Sequence, residues 1–234
     1  MSKKKQPLSE VADLGHIVAL IIPTSDTPQK STVYLEVFTY LQKADFSTAI
    51  VLSHTQERNT GKISLYNGEV FPVGEYQLRV DTELLNELCD EEDDFFSEDI
   101  GQVQNEAIQQ ILRAVVNVRS DIEVLPVMVG SNSLSISEEL GHALGEVMHN
   151  RSFLLLAAIE IDKVDQATLG AFIGSLETMQ INPLIRMIQS GEVKLHSGNG
   201  SIIGTLLAAQ RRGVKQAKVL TSGHNQFLGA VLYR

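Results

Sequence analysis

Short, wholly apolar runs alternate with longer amphipathic segments along most of the chain. Uninterrupted apolar runs are typical of strands that are buried on both faces of a parallel sheet. Strands are therefore predicted over residues 16–22, 48–52, 63–66, 122–129, 153–159, 217–221 and 227–233. Between them, apolar residues recur at the spacing of a helix face, as in Val33, Val37 and Leu41. Helices are predicted there and over residues 81–89, 102–118, 137–150, 165–180, 183–191 and 201–212, with a turn at 71–74.

The order of these elements predicts the fold class. Strands that alternate with helices favour a three-layer α/β/α sandwich around a mostly parallel or mixed sheet. A hydrophobic content of 43% is enough for a large core. No repeat, low-complexity linker or break in composition divides the chain. We therefore expect one domain over residues 16–234, preceded by a flexible tail at 1–15.

The composition limits the classes of partner and the cellular compartment that fit this protein. The net charge of −10 disfavours binding to nucleic acid or to anionic membranes, and the only basic run, residues 3–5, lies in the predicted tail. No apolar run is long enough for a signal peptide or a membrane span. Cys89 is the only cysteine, which excludes an intramolecular disulfide and fits a reducing cytoplasm. It follows apolar helical positions, so a buried structural thiol is expected.

An acidic stretch at residues 90–99 contains seven carboxylate side chains. A solvated loop is the simplest interpretation, and a contact surface in a larger assembly is the alternative. The spacing does not match an EF-hand. A homo-oligomer is left open, because no clear apolar patch argues for one.

A glycine-rich polar loop at residues 196–204 leads into the apolar helix segment Leu206, Leu207, Ala208 and Ala209. This segment resembles the Memo-like family, whose members carry a Cys-Gly-x-x-Pro-Ile loop before a Leu-Leu-x-Ala-Ala helix. Ser197 stands at the position of the family's cysteine, and Ser201 stands at the position of its proline. The resemblance therefore extends to the shape of the loop and not to its cysteine.

Further stretches resemble the same family in the same order. Residues 49–54 resemble the family's strand that ends in a Gly-Pro-Ser-His loop. Residues 78–81 resemble its Leu-Arg-Val-Asp helix entry, and residues 124–130 resemble its Pro-x-x-Val-Gly strand. Residues 221–223 resemble its Thr-Ser-Gly-Asp loop, and residues 229–230 resemble its terminal Gly-Tyr-Ala strand. The resemblance covers residues 17–233. It implies a fold related to the class III extradiol ring-cleaving dioxygenases, with a functional cleft at the strand ends.

The resemblance also implies where the family's metal-binding cleft falls. The first histidine position falls near Thr24, the second on His54, and the cysteine position on Ser197. A later aspartate and histidine correspond to Ile159 and Asp162. Only His54 keeps a good donor, and a transition metal usually needs three or more. No metal or other cofactor is therefore expected.

A rearranged site is the alternative. His54, His196 and His224 could converge with Asp162 or Glu160 and hold a metal such as Fe or Zn. Such a site would make the protein a metal-dependent oxidoreductase or hydrolase.

Two weaker patterns remain in the loops. Ser53 or Ser197 beside His54 would suggest hydrolysis only if the side chains are in contact. Gly198 and Gly200 precede a helix whose first N–H groups could hold a phosphate or carboxylate, although a structural turn is the simpler interpretation.

The sequence thus predicts a divergent Memo-like protein with a degenerate metal site. We expect a non-catalytic binding protein, a pseudoenzyme, whose former metal cleft takes a peptide, a small anion or a protein partner. The enzyme alternative stays open. Candidate cleft residues are Thr24, Ser53, His54, Asp162, His196, Ser197, Gly198, Gly200 and His224.

Overall fold

The computed structural model describes residues 14–24, 32–55, 62–91, 94–99, 101–130, 132–148, 151–196, 198–221 and 228–234. Within these ranges the chain forms one sheet of ten strands flanked by seven helices. The strands are β1 Ile17–Pro23, β2 Thr48–His54, β3 Ile63–Leu65, β4 Val70–Val73, β5 Tyr76–Val80, β6 Phe95–Ser97, β7 Glu123–Val129, β8 Phe153–Ile159, β9 Gln216–Thr221 and β10 Leu228–Tyr233. The helices are α1 Thr32–Leu41, α2 Thr82–Glu91, α3 Glu106–Val118, α4 Leu134–Val147, α5 Gln166–Glu177, α6 Ile181–Gln189 and α7 Asn199–Arg211. This architecture confirms the predicted α/β class.

Four parallel strands form the centre of the sheet, in the spatial order β7, β2, β8 and β1. They are almost entirely buried, as their apolar runs predict. Their carboxyl ends lie at one edge of the sheet, where His54 pairs with Val129 and Pro23 pairs with Ile159. The segments that follow these four strands therefore meet along this edge.

The two ends of the described chain meet in the sheet. β10 runs antiparallel between β1 and β9, with Leu20 opposite Val231 and Gly229 opposite Leu220. Beyond the strands, the backbones of His16 and Arg234 exchange hydrogen bonds of 3.1 and 3.0 Å. Of the tail predicted for residues 1–15, residues 1–13 lie outside the described part.

The turn predicted at residues 71–74 is wrong. Val70–Val73 is strand β4, which pairs with β5 at the end of the sheet order. Proline is tolerated at Pro72 because an edge strand has one side without ladder hydrogen bonds. The chain reverses at Gly74 instead, where φ is +59°.

The acidic stretch at residues 90–99 is not simply a loop. Its first two residues, 90 and 91, form the end of α2. Phe95–Ser97 forms β6, which pairs with β3. Residues 92 and 93 lie outside the described ranges. Phe95 is buried and anchors this short strand among the charged residues. β3 in turn pairs antiparallel with the end of β7, so β3 and β6 extend the sheet at the same edge as His54.

Helix starts agree with the sequence-based prediction at α2 and differ from it at α3 and α4. Asp81 confirms the expected start of α2: its Oδ1 accepts the Leu84 N–H at 2.9 Å. α3 begins at Glu106 rather than at 102, because Asn105 caps it and accepts the Ile108 N–H at 3.0 Å. α4 begins at Leu134, three residues before the predicted start.

Close contact between α4 and α7 positions the glycine-rich loop. Gly141 of α4 lies against the α7 backbone, so that a Cβ there would be 3.1 Å from the Gly204 carbonyl oxygen. A Cβ at Gly204 would likewise lie only 2.6 Å from Leu140 Cδ2. α7 itself packs on the four parallel strands. The start of α7 is therefore held over the carboxyl edge of the sheet.

Cys89 is half-buried rather than fully buried. Burial raises the pKa of its thiol, and the neighbouring Asp90 charge raises it further. The thiol is thus kept protonated, which agrees with a structural role. None of the described helices has the length and apolar character that crossing a membrane requires.

Candidate functional site

His54 is the last residue of β2, at the carboxyl edge of the sheet. Its Nδ1 lies 2.8 Å from the carbonyl oxygen of Val129 on the neighbouring strand. A carbonyl can only accept, so Nδ1 carries the hydrogen. In the neutral imidazole Nε2 is then left with a lone pair.

Gly198 lies directly against the His54 ring. A Cβ at Gly198 would be 2.4 Å from His54 Cγ and 2.5 Å from Nδ1, a separation that real side chains do not adopt. The backbone φ of +80° also favours glycine here. Gly198 is the N-cap residue of α7 and forms no side-chain capping bond. The positive end of α7 therefore begins beside the His54 side chain.

The start of α7 is also fixed from the segment after β7. Asn132 accepts the backbone N–H of Asn199 through Oδ1 at 2.9 Å. The Gly198 N–H donates to the Leu195 carbonyl at 3.3 Å, which tightens the loop before the helix. Hydrogen bonds to the segment after β7 and within its own backbone thus hold the loop in place.

A hydrogen bond joins His196, which precedes α7, to Asp162, which follows β8. Nε2 of His196 contacts Oδ1 of Asp162 closely, and both side chains are largely exposed, at 59% and 41%. Two backbone hydrogen bonds hold the two segments together. The His196 N–H donates to the Glu160 carbonyl at 2.8 Å, and the Asp162 N–H donates to the Lys194 carbonyl at 3.0 Å. The structure therefore brings His196 and Asp162 into contact with each other.

Asn105 is also part of the site, although the sequence pattern predicted it within a helix over residues 102–118. Ser53 Oγ donates to Asn105 Oδ1 at 3.1 Å, and Asn105 Nδ2 donates to the His54 carbonyl at 3.2 Å. The sequence signal for it is an N-cap residue before an apolar helical pattern. The same contact corrects the Ser53–His54 hydrolysis idea. The Ser53 hydroxyl is bonded to Asn105, and successive strand side chains point to opposite faces.

The remaining family positions carry poor metal donors. Thr24 is 7% exposed and its N–H donates to the Ile159 carbonyl at 3.0 Å. Ile159 offers only a buried alkyl side chain. Thr24 and Ile159 therefore add no usual transition-metal ligand to the His54 imidazole and the Asp162 carboxylate.

No larger donor cluster lies in the described ranges, where no three His, Cys, Asp or Glu side chains are grouped to hold an ion. Ser197 and His224 lie outside the described residues. Gly200, predicted in the loop, is instead a buried residue of the first turn of α7.

Comparison with known proteins identifies the family. The sequence model of the Memo-like protein family matches residues 5–226. The chain belongs to the Memo-like family. Among solved structures, the uncharacterized protein JW3007 from Escherichia coli K12 superposes on this Memo-like protein with a TM-score of 0.63 at 12% identity, over 92% of this chain and 99% of that one. At this identity the likeness shows a shared fold. No curated protein matches the sequence.

Proposed function

We propose that this Memo-like protein is a non-catalytic binding protein whose cleft holds a small anionic ligand. The observation that carries the proposal is the contact between Gly198 and the His54 ring, which closes the α7 loop over a single imidazole. Of the peptide, protein and small-anion ligands expected from the sequence, the small anion best suits a site built around one ring and one helix terminus.

Electrostatics at this edge support an anion. Helix N-termini carry a partial positive charge that favours phosphate and carboxylate groups. α7 has 13 residues, long enough to have such a terminus, and it begins beside His54.

The donor set supports a role without metal chemistry. Among the positions carried over from the family, Thr24 and Ile159 offer a hydroxyl and an alkyl group, and His54 is the one imidazole. Binding an anion needs only hydrogen bonds and charge, which the His54 imidazole and the partial positive charge at the start of α7 can provide.

Titration of the ¹⁵N-labelled protein with inorganic phosphate tests this proposal. We expect the largest amide shifts at Gly198 and in the first turn of α7. His54→Ala should weaken phosphate binding by about tenfold or more, because a hydrogen bond to a charged group is worth about 1.5–3 kcal/mol.

His142→Ala is the matched control, since His142 is a partly exposed histidine on α4 and lies outside this site. It should bind phosphate as the unaltered protein does. Absence of saturable shifts, or shifts centred away from α7, would contradict the proposal.

A metal-dependent enzyme is the second candidate, and one observation favours it. Metal-bound histidines usually donate their other ring N–H to a carbonyl or carboxylate, as His54 Nδ1 does to Val129. His196, Asp162 and His224 would have to complete the ligand set. His196 Nε2 is already engaged by Asp162, which argues against that arrangement.

Elemental analysis followed by titration with Fe(II), Cu(I) and Zn(II) separates the two candidates. On the binding proposal we expect no stoichiometric metal and no rise in the melting temperature. Stoichiometric metal that is lost in His54→Ala would establish the metal site and overturn the non-catalytic assignment.

A further inference from the structure

We propose that two copies of this chain associate through strand β9, which pairs antiparallel with its equivalent about Val219 and joins the two sheets into one. The partner is therefore a second copy of the chain. None of the residues involved belongs to the anion site, so this proposal and the proposed function can fail separately.

Three strands lie at the free ends of the described sheet: β4, β6 and β9. The chain's own side chains cover β4. The Tyr66 hydroxyl donates to the Val70 carbonyl at 3.2 Å, and Gln109 Nε2 donates to the Pro72 carbonyl at 2.9 Å. Pro72 also has no N–H to offer. β6 has only three residues. Among the described strands, β9 is thus the long edge that stays open to a further strand.

The alternation of hydrogen bonds along an antiparallel strand shows which β9 backbone groups face outward. His16 and Arg234 exchange backbone hydrogen bonds, so Arg234 faces β1 and the preceding residue, Tyr233, faces β9. Tyr233 lies opposite Gln216, so Gln216 and every second residue after it bond to β10. The outward backbone groups of β9 are therefore those of Ala217, Val219 and Thr221.

A second copy satisfies all these outward groups in one register. Antiparallel pairing centred on Val219 sets Val219 opposite the partner's Val219, and Ala217 opposite the partner's Thr221. Each such pair exchanges two backbone hydrogen bonds, which gives about six across the interface. A two-fold axis at the centre makes the contact self-complementary, as a closed dimer requires.

Lys218 is the one charged residue of β9, and it does not block this pairing. A lysine often protects an edge strand. Here its Nζ donates to the buried Tyr40 hydroxyl at 2.6 Å and lies 3.7 Å from Glu36 Oε1, so its charge is paired within its own subunit. In the register centred on Val219, Lys218 lies opposite the partner's Leu220. A register centred on Lys218 would instead set two like charges opposite each other.

A whole subunit suits this edge better than a single peptide strand. Helices α1 and α5 both pack against β9 and would meet their equivalents beside it. A strand of six residues is about 20 Å long, and a sheet with its helices is about 20–30 Å thick. Contact over this side of the molecule would bury about 1,000 Å² or more in total, which reaches the lower limit of a specific interface. A lone peptide would cover the strand and leave the helices uncovered.

Sedimentation of the full chain over a range of concentrations tests the proposal. We expect a monomer–dimer equilibrium, with twice the mass of one chain at the higher concentrations. Val219→Lys should weaken the dimer by about tenfold or more, because two like charges would meet at the two-fold axis. Val219→Glu should do the same. An equimolar mixture of these two variants should dimerise again, because opposite charges then meet.

Val219→Pro tests the backbone pairing without disturbing the fold. The Val219 N–H faces outward, so proline removes a donor from the dimer and none from the ladder between β9 and β10. This variant should unfold cooperatively and remain a monomer. Val219→Thr is the matched control, since threonine keeps both the N–H and the branched shape. It should dimerise as the unaltered chain does.

Hydrogen exchange locates the contact. The outward amides of Ala217, Val219 and Thr221 should become protected as the concentration rises, whereas the inward amides of Lys218 and Leu220 should be protected throughout. A chain that stays monomeric up to about 1 mM would overturn the proposal. So would a dimer that survives both Val219→Lys and Val219→Pro. Protection of the outward amides in a monomer, only when an extended peptide is added, would assign the edge to another partner and would overturn it as well.

Discussion

Gly141→Ala is expected to destabilise the protein by about 2 kcal/mol, although alanine is the better helix former by about 1 kcal/mol. The new Cβ would lie 2.5 Å from Leu207 Cβ and 3.1 Å from the Gly204 carbonyl oxygen. Neither atom is the end of a flexible side chain, so α4 and α7 would have to separate. Urea unfolding should show a lower midpoint with an unchanged slope.

Gly170→Ala is the matched control for this prediction. Gly170 lies within α5, and a Cβ there would meet no atom within 4 Å. Alanine should stabilise the protein at that position by about 0.5–1 kcal/mol through its helix propensity. If Gly141→Ala were as stabilising as Gly170→Ala, the close α4–α7 contact would be wrong.

Gly198→Ala is expected to remove anion binding and to cost about 2 kcal/mol or more of stability. Two effects combine at this position. A φ of +80° strains a residue with a Cβ, and that Cβ would meet His54 Cγ at 2.4 Å. His54 Cβ would lie 2.6 Å from it as well, so turning the ring alone does not relieve the contact. The α7 loop must move away from His54, and the His54 ring signals should change with the loss of phosphate binding.

Gly191→Ala separates the two effects. Gly191 has a φ of +77°, but a Cβ there would meet nothing within 4 Å. It should therefore show the strain cost alone, about 1–2 kcal/mol, with normal phosphate binding and unchanged His54 signals. Unchanged phosphate affinity in Gly198→Ala would mean that the loop does not close on the imidazole as described.

The central strands were predictable because local pattern determines them. β8 occupies Phe153–Ile159 as its apolar run predicts, and β2 and β7 differ by only a few terminal residues. The exceptions are elements whose stability comes from pairing with another strand rather than from their own apolar pattern. β4 contains a proline, and β6 lies in an acidic stretch; only pairing with β5 and β3 makes them strands.

The candidate site was predictable in part. The order of family motifs placed His54 and the glycine-rich loop at the same cleft, and the Gly198 contact agrees with that placement. The role of Asn105 was missed because its partners, Ser53 and His54, lie far away along the chain. The absence of a metal and the nature of the ligand remain predictions.

The position of β10 has a consequence for how the chain folds. β1 is completed on one side by β8 and on the other by β10, whose partner residues Ile17 and Tyr233 lie at opposite ends of the sequence. Pairing so distant has a large loop-closure entropy and slows folding. During synthesis, the apolar edge of β1 stays unpaired until every element between it and β10 has emerged, and an unpaired apolar edge is prone to aggregation.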